Sequence, residues 1–108
     1  MTGDAQRPFG DRRQTSRRGV DVSVLGEHRR LGDTLLHIAN ISPSGFMIRG
    51  EVDLGKGERI TVRLPAIGRI EAFVLWNDGA RAGFQFERVL RQDDFGAMID
   101  ALPEKRSL

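Results

Sequence analysis

Five arginines, Arg7, Arg12, Arg13, Arg17 and Arg18, fall in one short stretch that is opposed only by Asp11. A guanidinium forms bidentate hydrogen bonds to phosphate and to the guanine edge, and it stacks on flat rings. Further along, Asn40-Ile41-Ser42-Pro43-Ser44-Gly45 sets an amide, hydroxyls and backbone N–H groups in a tight turn. Gly45 would permit a positive φ or a close approach of ligand to backbone. Arginines stacking on or bonding to bases, with Asn40, Ser42 and backbone N–H groups near Gly45 meeting phosphate oxygens, would suit a phosphorylated nucleotide. The formal net charge is only +2, so placement is more informative than the total. A GC-rich genome would explain the general preference for arginine, since Lys56 and Lys105 are the only lysines. It would not explain the cluster.

Other chemistry finds little support. There is no cysteine, which excludes disulfides, thiolate catalysis and cysteine-ligated zinc and suits a reducing cytoplasm. His28 and His37 lack metal-ligand spacing or a plausible nucleophile partner and read as surface or strand residues. No HExxH, Walker loop or nucleophile elbow occurs, and the acidic residues are scattered. The expectation is a protein that is not an enzyme and carries neither metal nor cofactor. The N-terminus lacks the layout of a secretory signal, and no apolar run approaches the roughly 20 residues needed to span a bilayer. A cytoplasmic protein without membrane insertion is expected.

The elements that must position these groups follow from periodicity. At 108 residues, 39% of them hydrophobic, the chain has room for one domain with a modest core. Residues 1–11 read as a flexible N-terminal arm, 12–102 as the domain and 103–108 as a tail. Val20, Val22 and Val24 alternate with polar residues as a half-buried strand does. Glu27 to Gly32 reads as a turn, Thr34 to Asn40 as a second strand and Phe46 to Arg49 as a third. Arg59 to Leu64 alternates, Ile70 to Trp76 forms the longest apolar strand, and Asn77-Asp78-Gly79 signals a hairpin into Ala82–Glu87. Trp76 reads as core or rim packing. Phe95, Met98, Ile99 and Leu102 recur at helical spacing, with Asp93 and Asp94 near the positive N-terminal end. The expected fold class is all-β with a terminal helix: a small six-stranded antiparallel split β-barrel whose C-terminal α-helix covers an opening or an edge.

The two motifs together resemble a known family. Arg13-x-x-x-Arg17 followed by Asn40-x-Ser42-x-x-Gly45 is similar to the double signature, RxxxR then D/NxSxxG, of the PilZ domain. The resemblance runs from about Asp11 to Leu102, with Val20, Trp76 and the Gly83-Phe84-Gln85-Phe86 strand as supporting marks. It implies a stand-alone receptor for the bacterial second messenger cyclic di-GMP. Arg13 and Arg17 would clasp guanine and phosphate groups, and Asn40, Ser42 and Gly45 would form the other wall. Asn40 stands where many members carry aspartate. Arg12, directly before the motif, is the kind of residue that in this family accompanies two stacked cyclic di-GMP molecules. Ordering of the arm by ligand would relay the signal to an unidentified downstream protein.

Two other readings compete. Some PilZ-like domains are protein-interaction adaptors that do not bind nucleotide, but these lack the arginine motif. A single-stranded nucleic-acid binder would want aromatic platforms along a basic groove, and this chain has no tyrosine.

Overall fold

The computed structural model describes residues 17–102; the proposed arm, the tail, Arg12 and Arg13 lie outside the described residues. Six strands follow in order: β1 (Arg18–His28), β2 (Gly32–Ser42), β3 (Gly45–Arg49), β4 (Arg59–Leu64), β5 (Gly68–Asn77) and β6 (Arg81–Phe86). Among the described residues a single helix, α1 (Gln92–Ala101), comes last. The strands close into an antiparallel barrel in the order β1-β2-β3-β6-β5-β4. Closure runs through a short seam in which Gly26 pairs with Val62 and Glu27 with Thr61.

Alternation explains the inside of the barrel. In β4, Ile60, Val62 and Leu64 are buried while Arg59 and Arg63 face water, as one wet face requires. Phe46 and Phe84 are register partners on the inner face and stack with ring centroids 4.7 Å apart. Phe86, two residues on from Phe84, points the same way and lies 5.5 Å from Phe46. Such aromatic pairs stabilise by about 0.5–1.5 kcal/mol each beyond their area burial. Phe95 and Met98, one turn apart on α1, are drawn into the same core, with Ile99 and Leu102 partly buried against it. Because the seam closes the ladder, the helix covers an opening of the barrel and not an edge.

Two sequence expectations need correction. The first two strands are longer than their alternation suggested, at 11 residues each, and the turn shrinks to Arg29–Leu31. The reason is His28. Its Nδ1 accepts backbone N–H groups of Arg30 (3.0 Å) and Leu31 (3.1 Å), so the ring itself closes the turn. Within β1 at the seam, a Cβ on Gly26 would lie 2.7 Å from Ile60 Cδ1, so the bare glycine makes room for the Ile60 side chain of β4. Finally, the apolar run of β5 is not all core. A bulge between Val74 and Trp76 breaks the alternation and leaves Leu75 39% and Trp76 40% exposed. Asn77-Asp78-Gly79 does make the β5–β6 hairpin. Asp78 Oδ1 accepts the N–H groups of Ala80 (2.9 Å) and Arg81 (2.8 Å), which holds its carboxyl below the usual carboxylate range.

Candidate functional site

The antiparallel β1–β2 pair brings the two motifs together. Arg18 lies opposite Ile41 and Gly19 opposite Asn40, so the chain enters β1 beside the residues that leave β2. At that point Arg17 Nη1 donates to Asn40 Oδ1 at 2.8 Å. Irregularities flank the contact on both sides: β1 shifts register between Gly19 and Val22, and β2 against β3 between Ile38 and Asn40. A bulge re-aims the side chains around it. Here Ile38 and Ala39 are both buried while Asn40 reaches the surface, half-buried. The Asn40 amide nitrogen points the other way, 3.7 Å from Met47 Sδ.

Ser42 and Gly45 do different work. The Ser42 side chain is almost wholly buried, with its residue 1% exposed. Its hydroxyl accepts the Ser44 N–H at 3.3 Å, meets the Ser44 hydroxyl at 3.1 Å and reaches the Gly45 carbonyl at 3.4 Å. It holds the turn, and the hydroxyl nearer the surface is that of half-buried Ser44, which the sequence reading did not single out. Gly45 does not have a positive φ. A Cβ there would meet the Phe84 carbonyl oxygen at 2.0 Å. Glycine is needed so that β6 can lie against β3. The turn is then tied to the segment leading into α1, with Phe86 N–H bonded to Ser44 O (2.9 Å) and Leu90 N–H to Pro43 O (2.8 Å).

Following the register outward reveals a row on the outer face. Gly19 pairs with Asn40, Asn40 with Met47, Met47 with Gly83 and Gly83 with Trp76. A Cβ on Gly83 would lie 2.3 Å from Trp76 Nε1 and 2.6 Å from Cε2, so the indole lies across the bare backbone of Gly83. Trp76 therefore lies outside the core and packs near the end of β5 against Gly83. It is an aromatic platform, in the manner of an aromatic ring covering a strand glycine. The signal was present in the hairpin: counting back from Asn77-Asp78-Gly79 sets Trp76 against Gly83. A surface depression of about 360 Å³ lies elsewhere, lined by Ile67, Arg69, Ile70, Glu71, Glu87 and Arg88, and holds none of the motif residues.

The histidines have structural surroundings. His28 Nε2 lies 3.1 Å from Glu58 Oε1, and since Nδ1 is an acceptor, Nε2 carries the proton and donates to the carboxylate. Glu58 also accepts the Gly55 N–H (2.7 Å) and Arg30 Nη2 (3.1 Å). Those bonds, the backbone one first, hold its carboxyl below the usual range. His37 does gain a hydroxyl neighbour, which the sequence reading did not foresee: Ser23 is its register partner, with Ser23 Oγ 3.5 Å from Nδ1 and Asp21 Oδ1 2.8 Å from Nε2. At 3.5 Å the hydroxyl contact is too long to activate a nucleophile. Among the described residues no group of three His, Asp or Glu side chains could hold a metal ion, and no helix is long and apolar enough to cross a membrane.

Fold and site define a small-barrel domain that presents a row of side chains on its outer face. The PilZ domain family model matches residues 11–102, and the chain belongs to that family. PilZ domains are cyclic di-GMP receptor domains, a family of binding and not catalytic domains. A comparison with curated proteins finds no match.

Proposed function

We propose that this chain binds cyclic di-GMP on the outer face of the barrel, at the meeting of Arg17 and Asn40. The observation that carries the reading is the 2.8 Å bond between them, because it joins the two halves of the PilZ signature in one place. Arg13 and Arg17 clasp guanine and phosphate groups. Asn40 forms the presenting part of the opposite wall, and Ser42 and Gly45 form its frame. Arg12 stacks on a second guanine, so that two stacked ligand molecules are held. Trp76, at the far end of the row, offers a further face to a base.

Binding ties Arg12 and Arg13 to the barrel and so orders the N-terminal arm, which changes the surface shown to a downstream protein. The bonds from Pro43 and Ser44 to the segment before α1 give the turn a second route to the surface. Calorimetry with cyclic di-GMP, GTP and an oligonucleotide tests the reading. Heat is expected with the cyclic dinucleotide alone, at two ligands per chain, and none in folded Arg13→Ala and Arg17→Ala variants. No heat from a folded wild type would sink the proposal; saturation at one ligand would remove the stacked pair.

A further inference from the structure

Two residues outside the motifs meet where β1 and β2 change step. Gly19 lies opposite Asn40 and Arg18 opposite Ile41, whereas Val22 lies opposite Ile38 and Ser23 opposite His37. Val20 and Asp21 of β1 therefore face the one residue Ala39 of β2, the two-against-one count of a β-bulge. Ala39 is also the extra residue against β3, where Ile38 pairs with Ile48 and Asn40 with Met47. Continued from Val22 without the bulge, β1 would set Val20 against Asn40 and Gly19 against Ile41. The entering chain would then run one residue out of step, and Arg17 would lose its place beside Asn40.

One side-chain contact spans this place. Asp21 belongs to the bulge, and His37 is fixed in β2 just before the step. A carboxylate only accepts, so His37 Nε2 carries a hydrogen and donates it to Asp21 Oδ1 at 2.8 Å. The other ring nitrogen lies 3.5 Å from Ser23 Oγ. From this geometry we infer that His37 and Asp21 are positioning residues of the ligand site: their bond selects the bulged register of β1 and so holds Arg17 at Asn40. The inference rests on the cyclic di-GMP reading and extends it to a pair that acts through Arg17. The two side chains are 38% and 62% exposed, so their bond adds little to the stability of the barrel. A weak contact suffices here, because it has only to favour one register of the strand end over the other.

Four variants, Asp21→Ala, His37→Ala, the double alanine and Asp21→Asn, test this by calorimetry with cyclic di-GMP. NMR of the same proteins without ligand reads the cross-strand contacts between Gly19 and Asn40. Unchanged thermal unfolding establishes that each variant folds. Each alanine variant is expected to bind several-fold more weakly and to lose the Gly19–Asn40 contacts, and the double variant to lose no more than either single one. Asp21→Asn keeps the acceptor, so wild-type affinity and intact contacts are expected. A merely supporting role would leave the register unmoved in every variant. Alanine variants that keep the Gly19–Asn40 contacts therefore overturn the inference. Losses that add in the double variant also overturn it, as does Asp21→Asn binding as weakly as Asp21→Ala. Those outcomes leave the cyclic di-GMP reading standing. Absence of binding by the wild type removes that reading, while the register measurement, made without ligand, still decides whether the His37–Asp21 bond sets the step.

Discussion

Replacing Gly45 by alanine adds one methyl group where β3 lies against the backbone of β6. The new Cβ would sit 2.0 Å from the Phe84 carbonyl oxygen, about 1.4 Å short of an ordinary contact at 3.4 Å. Its neighbour is backbone, so no side chain can swing aside. The strands must part instead, and the Ser44 O–Phe86 N–H bond at 2.9 Å and the adjoining ladder bond stretch beyond bonding distance. Two bonds at about 1 kcal/mol each, with about 1 kcal/mol from loosening the Phe46–Phe84 stack, set the loss. The stiffer unfolded chain returns about 0.5–1 kcal/mol. Net destabilisation is expected at about 2–2.5 kcal/mol, which lowers the Tm of a domain this size by roughly 8–20 °C. Thermal unfolding followed by circular dichroism measures it. A Tm within a few degrees of wild type would refute the account of why glycine stands in the motif, and would favour a role in direct ligand approach.

Gly83→Ala makes the same chemical change against a different neighbour, the exposed edge of the Trp76 indole. The ring can move out, so stability is expected to change by under about 1 kcal/mol, while tryptophan fluorescence shifts to the red and cyclic di-GMP affinity falls several-fold; an unmoved fluorescence spectrum would show that the indole does not lie across Gly83. Acid should loosen the far end of the barrel. The Glu58 carboxyl is held below its usual value by the Gly55 N–H and then by Arg30, so its contribution is present above a pH of about 4.3 and is lost as pH falls through the lower folded value. Urea titrations of wild type and Glu58→Gln across that range should converge at low pH, and a constant difference would contradict the assignment.

Much of the architecture was legible because alternation is a direct consequence of a half-buried strand. β4 runs over the residues its pattern marked, and Phe95 and Met98 point inward as their spacing requires. What the sequence hid were features that side chains create in space. His28 closes its own turn, so polar residues that looked like loop belong to strands. Bulges at Gly19/Val22, Ile38/Asn40 and Val74/Trp76 shift the outer face by one residue, which moved Trp76 from expected packing to the surface. The motif itself was visible as a string, but its division of labour was not. Asn40 presents, Ser42 holds the turn, and Gly45 admits β6; only the register separates these roles.

The most direct test of the central claim is an NMR titration of the wild-type chain with cyclic di-GMP, observing the Arg17 side-chain N–H groups, the Asn40 amide, the Met47 methyl and the Trp76 indole N–H together. The account predicts that all four move in step with ligand and saturate together, while the His28–Glu58 cluster at the other end of β1 stays still. Binding that leaves those four signals unmoved, or that perturbs the β1–β2 turn instead, would contradict it.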